Sequence, residues 1–401
     1  MRDRLVFITN QLPYPPQSGG VIKSWRLLAC LANRFDVELI TPLKGNDALH
    51  VGQLQAVLPG VKIRATPVER PRTALNFLRS LVSAPTLNAY RTANKDLHAA
   101  AANAISRADL VLVDHLEAFP YVPRNTAIPV VLHQHNAEHV MWERARSVAR
   151  NLPERLVLSV EALRVKRFEA AACRKADLVL AAPNDQEELV KLGIPRNKLR
   201  TTLHLGDDSG LEAPTLQYQE AADNLLYVGT LSWPANADGL HWFLAEVWPA
   251  LRSAHPALTM DIVGRGADQR LAAAVEQAAG VAMHGFVEDL EPFYRKSKVF
   301  IAPLRFGSGT KVKVLTALYR GLPCVTTSFG TEGLDLVPGE EILVANNAAG
   351  TANHILALVS DRTMWESLRD ASRRKAALAY SWNPLLESHV EDLLGLIGRR
   401  S

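Results

Sequence analysis

The segment PLRFGSGTKVKVLTALYRGLP, residues 303–323, decides the fold class of this 401-residue chain. The apolar run KVFIA at residues 298–302 ends directly before it and has the composition of a buried strand. Glycines and small polar residues at 307–310 predict a tight loop, and the residues after them predict a helix that begins near Lys311. A strand, a short loop and a helix form the repeating unit of a parallel α/β sheet.

Similar apolar runs alternate with helical stretches on both sides of this segment. The predicted strands are Leu5–Ile8, Val37–Ile40, Val61–Ile63, Leu110–Val113, Val130–Leu132 and Leu178–Leu180 in the first half, and Leu225–Val228, Leu258–Val263, Val281–Met283, Val299–Ala302, Cys324–Thr326 and Ile342–Val344 in the second. Continuous apolar strands are typical of sheets covered by helices on both faces. Six such runs in each half predict two doubly wound, Rossmann-like parallel sheets.

The predicted domain boundaries follow from the break in this pattern. Residues 1–205 form the first domain and residues 224–381 the second. Residues 206–223 carry no strand or helix pattern and serve as the linker. Residues 382–401 form a C-terminal helix that could cross back to the N-terminal domain. Ligands of such sheets bind at the carboxyl ends of the strands, so the chemistry is expected in a cleft between the two domains.

Composition excludes several classes of protein. Hydrophobic residues make up 48% of the chain and charged residues 21%, which is typical of a globular protein and excludes a disordered one. Three widely spaced cysteines form neither a disulfide framework nor a zinc site. The N-terminal apolar run is too short for a signal peptide, and no run is long enough to span a membrane. A cytoplasmic protein is therefore expected.

The two halves differ in charge. Residues 1–205 hold 28 Lys and Arg against 18 Asp and Glu, a net charge of +10, whereas residues 206–401 hold 17 against 23, a net charge of −6. Residues 141–175 alone hold nine basic and four acidic residues. Sparse aromatic residues argue against nucleic-acid binding there. The alternatives are an anionic acceptor, peripheral contact with anionic lipid at the inner face of a membrane, or a solvated surface.

The loop at 307–310 has the features of a phosphate site. Free amides at a helix start attract phosphate, Ser308 and Thr310 add hydroxyl groups, and Lys311 and Lys313 add positive charge. The P-loop ending Gly-Lys-Ser/Thr is missing. A structural turn with solvated lysines is the alternative.

Two further glycine segments follow predicted strands. Gly19 and Gly20 precede a helix expected to begin near Val21, and the segment VGRGAD at 263–268 lacks the third glycine of a dinucleotide fingerprint. Each is interpreted as a loop that lines a ligand site, with a simple turn as the alternative for the first.

Histidines concentrate after the strand Val130–Leu132, at His133, His135 and His139. Their spacing crosses the end of the strand and offers no matched acidic ligands, so we predict no metal site and no cofactor. A polar wall with one functional histidine is the interpretation. Asp114 and His115 end the preceding strand on the same rim.

Taken together, these segments resemble the retaining glycosyltransferases of family 4, the glycosyl transferases group 1, which have the GT-B fold of two facing Rossmann-like domains. The resemblance rests on LVFITNQLPYPPQSGG, HQHNAEHVMWER, NLLYVGTLSWPANADGLHWF, DIVGRGAD, HGFVEDL and GSGTKVKVLTALYRGLPCVTTSFGTEGL, in family order. It implies metal-independent transfer of a sugar from a nucleotide-sugar donor, held by the second domain, to an acceptor held by the first. The acceptor could be a glycan, a lipid-linked sugar or a natural product.

The resemblance also assigns residues. His135 matches the histidine beside the reacting sugar, and is the predicted catalytic residue. The residues predicted to bind the donor diphosphate are Gly19, Gly20, Ser308, Gly309, Thr310, Lys311 and Lys313. Those predicted to bind the nucleotide are Gly229, Gly264, Arg265, His284, Gly285, Phe286 and Thr316.

The chain departs from the family pattern at two places. Ser308 and Thr316 stand where the family usually has two glutamates, and GTLSWPANADG lacks the usual Arg and Lys after the first strand of the second domain. A non-catalytic sugar-binding scaffold and a nucleotide-sugar epimerase or hydrolase are therefore kept as alternatives to an active transferase.

Overall fold

The computed structural model describes residues 2–16, 19–147, 151–306 and 311–399. The chain divides into two compact units. Unit 1 comprises residues 1–204 and 385–401, and unit 2 comprises residues 205–384.

Unit 1 is an α/β unit built on one parallel sheet. Its strands are β1 Arg4–Thr9, β2 Asp36–Leu43, β3 Lys62–Pro67, β4 Leu110–Asp114, β5 Val130–His133, β6 Leu178–Ala181 and β7 Leu199–Thr201. Its helices are α1 Gly19–Arg34, α2 Val51–Val57, α3 Ala74–Ser83, α4 Leu87–Thr92, α5 Lys95–Ile105, α6 Glu138–Ser147, α7 Leu152–Lys175 and α8 Pro183–Lys191.

The strand order in unit 1 is β3-β2-β1-β4-β5-β6-β7, with parallel pairing throughout the described residues. The order reverses between β1 and β4, which is where doubly wound sheets bind ligands. The strands are apolar because helices cover both faces: Leu5–Ile8 of β1 are at most 2% exposed. The register places Thr9 beside Asp114 and Asp114 beside His133, so three polar side chains end adjacent strands.

Unit 2 has a second parallel sheet. Its strands are β8 Ala222–Val228, β9 Thr259–Val263, β10 Val281–Met283, β11 Ser297–Ala302, β12 Cys324–Thr326 and β13 Leu343–Val344. Its helices are α9 Pro234–Trp242, α10 Trp248–Ala254, α11 Gln269–Gln277, α12 Glu291–Lys296, α13 Val312–Arg320, α14 Ala348–Ser360 and α15 Arg362–Ala379, and a π-helical turn at Phe243–Val247 joins α9 to α10.

The strand order in unit 2 is β10-β9-β8-β11-β12-β13, so its order reverses between β8 and β11. Strand β11 and helix α13 are the strand and the helix predicted from residues 298–323. Gly321 caps the C-terminus of α13, and its φ of 68° is the left-handed conformation that glycine favours.

The last helix, α16 Trp382–Gly398, begins in unit 2, and its residues from 385 onward belong to unit 1. There Asp392 accepts a hydrogen bond from Arg200, and His389 is buried. No helix in the described ranges is both long and apolar enough to cross a membrane.

The predicted α/β class and the twelve predicted strands are confirmed, but the count of six strands in the first half is wrong. The seventh strand, β7, has three residues and pairs with β6 at the edge of the sheet. Its sequence Leu-Arg-Thr is too short and too polar to stand out as an apolar run.

Candidate functional site

A cluster of histidines surrounds one buried carboxylate at the carboxyl end of β4. Asp114 is fully buried, and its two oxygens have five polar partners. Oδ2 lies 3.0 Å from the hydroxyl of Thr9, 2.6 Å from that of Ser24 and 3.1 Å from His115 Nδ1. Oδ1 lies 2.7 Å from His133 Nδ1 and 2.9 Å from His135 Nε2. Each of these groups can donate a hydrogen bond to the carboxylate.

The rings of His115 and His135 stack, with centroids 3.6 Å apart and planes inclined by 14°. Burial lowers the pKa of His135 well below its usual value, and the charge of His115 lowers it further. His115 differs: burial opposes its protonation, but the carboxylate of Asp114 outweighs that effect and raises the pKa of His115. His135 is therefore neutral at physiological pH. Because its Nε2 faces a carboxylate and carries the proton, its Nδ1 has a free lone pair.

Asp114 stays ionised in this cluster. Burial alone would raise its pKa, but His115 and His135, with the hydrogen bonds from His115 and His133, hold the pKa well below its usual value. A second buried charge lies nearby in Lys23, whose pKa burial lowers to about 8 and whose Nζ lies 3.4 Å from the carbonyl oxygen of Gln134.

One sequence argument against a metal does not hold. Asp114 supplies the acidic partner that the histidines were expected to lack, and potential ligand atoms of Asp114, His115 and His135 lie within 4.8 Å of one another. Both oxygens of Asp114 already accept hydrogen bonds, however, so a cation would have to displace them. His139 lies apart from this set, with Nδ1 2.5 Å from Glu169 Oε2.

The predicted glycine pair opens α1, which begins at Gly19. A Cβ built on Gly20 would lie 3.7 Å from His135 Nδ1, so the first turn of α1 adjoins the free nitrogen of that ring. Ser24, one turn later, lies 3.1 Å from the carbonyl of Gly20 as well as beside Asp114. Helix α1 thus connects the predicted glycines to the histidine cluster.

Unit 2 has a cavity of about 430 Å³ at the point where its strand order reverses. Residues that follow β8, residues that follow β11 and the start of α13 line it. Among the predicted residues, Gly229, Lys311 and Lys313 are brought together there. Trp233 and Phe306, which are 62% and 46% exposed, lie at the same cavity and were not predicted.

Lys313 is the second residue of α13 and points its ammonium group at neutral partners. Its Nζ donates to the hydroxyl of Tyr227, 2.9 Å away, and to Asn236 Oδ1. Burial, together with the positive charge of Lys311, lowers the pKa of Lys313 to about 7. Within the described ranges it has no carboxylate partner. Gly229 leaves room beside it, because a Cβ there would lie 3.1 Å from Nζ.

Lys311 directly precedes α13 and is 8% exposed. Its Nζ lies 3.5 Å from Glu332 Oε2. Burial lowers the pKa of Lys311 and Glu332 opposes that effect. The predicted residues Ser308, Gly309 and Thr310 lie outside the described residues.

The other predicted nucleotide-binding residues form a group of loops beside this cavity. The amide of Gly264 donates to the carbonyl of Gly285 at 2.7 Å, and a Cβ on Gly264 would lie 1.8 Å from the carbonyl oxygen of Gly229. Arg265 lies over the ring of Phe286, which is 69% exposed, at 5.7 Å from the centroid. These loops therefore meet through their glycines.

Two predicted residues are engaged elsewhere. His284 Nε2 lies 2.7 Å from Asp261 Oδ1, and Lys296 forms an ion pair with the other oxygen of that carboxylate. The hydroxyl of Thr316 donates to the carbonyl of Val312 one turn earlier, 2.9 Å away. Neither side chain is among those that line the cavity.

The contact between Gly264 and Gly229 gives a first prediction. Gly264→Ala places a methyl group 1.8 Å from the carbonyl oxygen of Gly229, which is far shorter than a van der Waals contact, so the two loops must separate. We expect the free energy of unfolding to fall by about 1–3 kcal/mol, the usual cost of overpacking, together with weaker binding in the cavity. Gly395→Ala, where a Cβ meets no atom within 4 Å, is the control for urea unfolding. Equal stability of the two variants would contradict the prediction.

The segment that contains this cavity resembles known proteins. Residues 222–361 match the family model of the Glycosyl transferases group 1. A protein from Klebsiella pneumoniae, described as an uncharacterized 44.6 kDa protein in the cps region, is 33% identical over 140 residues. That match spans 33% of this chain and 36% of that protein.

Several solved structures resemble the whole chain. HepE from Anabaena, crystallised with UDP and glucose, superposes with a TM-score of 0.67 at 14% identity over 98% of this chain and all of that one. TarM has a TM-score of 0.66 at 10% identity over 99% of both chains. Sucrose-phosphate synthase from Thermosynechococcus elongatus has a TM-score of 0.64 at 16% identity over 99% of this chain and all of that one. The chain has the GT-B fold.

Proposed function

We propose that the protein is a glycosyltransferase that moves a sugar from a nucleoside diphosphate sugar to an acceptor. The observation that carries the proposal is Lys313, a buried ammonium group whose described partners, Tyr227 and Asn236, are both neutral. A buried charge without a counter-charge is costly, and an anionic ligand removes that cost. The lysine lies in a cavity within the segment that matches the glycosyltransferase family.

In this proposal Lys311 and Lys313 hold the diphosphate and neutralise the charge that develops as the bond to the sugar breaks. His135 accepts a hydrogen bond from a hydroxyl group of the sugar through Nδ1. The proposed transfer retains the configuration at the anomeric carbon and needs no metal, as the resemblance to family 4 implies. Because HepE has been crystallised with UDP and with UDP-glucose, a uridine nucleotide is the first donor to test.

Membrane contact at the cytoplasmic face belongs to the same proposal. Leu152, Leu156 and Leu163 of α7 are exposed, as is Arg155, so this helix offers apolar and basic groups to a surface. Arg164 of the same helix is half-buried. Its guanidinium contacts Glu161 and donates to the carbonyls of Ser80 and Ala84.

The donor site is tested by Lys313→Ala. We expect it to weaken UDP binding by about one to two decades, because a hydrogen bond to a charged group contributes about 1.5–3 kcal/mol. Calorimetry with UDP, preceded by a thermal-shift panel of nucleoside diphosphates, measures this. Lys375→Ala, which removes a lysine paired with Asp335 in the same unit, is the control.

Unchanged UDP affinity in Lys313→Ala would remove this lysine from the donor site. If no nucleoside diphosphate stabilised the wild-type protein, the proposed function itself would fail. Binding of a nucleotide sugar without release of nucleoside diphosphate with any acceptor would favour the alternative of a non-catalytic scaffold. Thr316 favours that alternative, because its hydroxyl is engaged within α13 where the family usually has a glutamate.

A further inference from the structure

A second cavity, of about 500 Å³, lies in unit 1 at the carboxyl ends of its strands. It is lined by Asn10 after β1, Lys44 after β2, Val68 after β3 and residues of α4. Glu117, which also lines it, is two residues from His115 and raises the pKa of that histidine. The cavity therefore adjoins the cluster that contains His135.

The cavity has an excess of positive charge. Its charged lining residues are Lys44, Arg70, Arg72, Arg91, Glu69 and Glu117. In the part of the chain that the structure describes, none of the four cations forms an ion pair. Burial lowers the pKa of Arg91 and the charge of Arg72 lowers it further, while Glu117 opposes both effects.

Two of these cations hold the cavity in shape. Arg91 Nε donates to the carbonyl of Arg70 at 2.8 Å, and Arg70 donates to the carbonyl of Tyr90 at 2.7 Å. These bonds join the loop before α3 to α4. Arg72 donates to Asn88 Oδ1 at 3.2 Å, whereas no partner is found among the described residues for the ammonium group of Lys44. The cavity thus presents fixed donors to an anion.

Helix α3, which lies in sequence between the two walls of this cavity, has an exposed apolar face. Leu75, Leu78 and Val82 are 56%, 60% and 91% exposed and occupy the same face of the helix, at positions i, i+3 and i+7. Contiguous exposed apolar surface marks an interaction site. The C-terminal end of α3 packs on α7 through Arg164, and Leu156 and Leu163 of α7 are also exposed.

We propose that this cavity and the exposed face of α3 bind an acceptor made of a lipid chain with a phosphate group. The phosphate enters the cavity between Lys44, Arg72 and Arg91, and the apolar face of α3 lies in the bilayer that carries the lipid. A free phosphate ion would account for the basic cavity but not for the exposed apolar face of α3. An anionic membrane surface would account for the apolar face but not for the cavity. The inference rests on the proposed function, because it supplies the acceptor for that transfer.

The test uses flotation with three kinds of vesicle: phosphatidylcholine alone, phosphatidylcholine with phosphatidylserine, and phosphatidylcholine with a long-chain prenyl phosphate at equal charge. The pocket variant is Lys44→Gln with Arg72→Gln, which leaves the bonds of Arg70 and Arg91 in place. Lys95→Gln with Arg124→Gln is the matched control, since it removes two exposed charges elsewhere in unit 1. The helix variant is Leu78→Ser with Val82→Ser.

We expect the wild-type protein to prefer prenyl phosphate vesicles. The pocket variant should lose about 25-fold in affinity for them, because each basic group near an anionic surface is worth about fivefold. The control should bind them at close to wild-type affinity. The helix variant should bind all three kinds of vesicle more weakly but keep wild-type affinity for inorganic pyrophosphate in calorimetry with the proposed donor site saturated by UDP.

Three results would overturn the inference: equal binding to phosphatidylserine and prenyl phosphate vesicles, equal binding by the pocket variant and its control, or a helix variant that binds vesicles like the wild type. Stabilisation by UDP is measured on every variant. It reports on unit 2 alone, so a failure of the acceptor site and a failure of the proposed function give different results.

Discussion

His135→Ala will lower the turnover rate about a hundredfold to a thousandfold while UDP still binds, because it removes the contact to the reacting sugar that we propose for this residue. Loss of one preorganised transition-state contact typically costs about 2.7–4 kcal/mol. The side chain is nearly buried, and its Nε2 is held by Asp114 at 2.9 Å. Only Nδ1 is left to accept a hydrogen bond from substrate.

The pH profile separates this role from general base catalysis. Burial keeps the pKa of His135 well below its usual value of 6.5, so the ring is neutral across the physiological range. The contribution of His135 to the rate is therefore constant from mildly acidic to mildly basic pH. A kcat profile with a titration near pH 6.5 that disappears in His135→Ala would contradict this assignment.

His133→Ala is the matched control. His133 bonds the same carboxylate oxygen at 2.7 Å, but it is 1% exposed and its other nitrogen is 3.5 Å from the hydroxyl of Thr202. Its removal should lower the free energy of unfolding and reduce turnover less than His135→Ala. Equal activity of wild-type protein and His135→Ala with the true acceptor would exclude His135 from catalysis.

The fold could be predicted from the sequence because buried parallel strands consist of continuous apolar runs. Leu110–Val113 and Val130–Leu132, for example, were predicted to within one residue of β4 and β5. The edge strand β7 was not predicted because it has only three residues and its side chains are mostly not buried. A strand whose existence depends on a neighbour carries little signal of its own.

The residues of the candidate sites could be predicted from the sequence only in part. His135 and Lys313 stand out because each follows a predicted strand at the edge where ligands bind. Their partners do not: Asp114 is 21 residues from His135, and Tyr227 is 86 residues from Lys313. Such pairs are created by the strand register, which places Thr9, Asp114 and His133 side by side. The sequence does contain one indication of this register, because each of these strands ends in a polar residue.

The net charge of a segment does not show which of its basic residues face solvent. Arg164 lies in the basic stretch 141–175, yet it caps the carbonyls that end α3. Lys44, Arg72 and Arg91, which form no ion pair among the described residues, are spread over 48 residues and form no basic run. Their excess charge appears only when the ends of β2, the loop after β3 and α4 meet.

Asp114→Asn will lower the free energy of unfolding by about 3–5 kcal/mol, the cost of breaking a buried pair by removing one partner. Asparagine keeps the shape of the side chain but turns one oxygen into an amide that donates. Whichever way it is oriented, that amide faces groups that donate to the wild-type carboxylate, either His133 and His135 or the hydroxyls of Thr9 and Ser24 with His115, and these groups must reorient to accept from it. Urea unfolding measures the loss.

Asp109→Asn is the control, because the carboxylate of Asp109 accepts one hydrogen bond among the described residues, from the amide of Arg4 at the surface. We expect it to cost about 1 kcal/mol. If Asp114→Asn were as stable as this control, the carboxylate would not be the centre that holds the histidine cluster together.

The loss in Asp114→Asn depends on pH in a defined direction. The pKa of Asp114 in the folded protein is well below the ordinary value of 3.8, so its ionised form contributes stability above about pH 3.8. That contribution is lost as the pH falls towards the pKa of Asp114 in the folded protein, and the difference in stability between wild type and variant therefore narrows in acid.

NMR titration of His115 supplies an independent check. Asp114 raises the pKa of His115 against the effect of burial, so in Asp114→Asn burial acts unopposed by Asp114 and that pKa must fall.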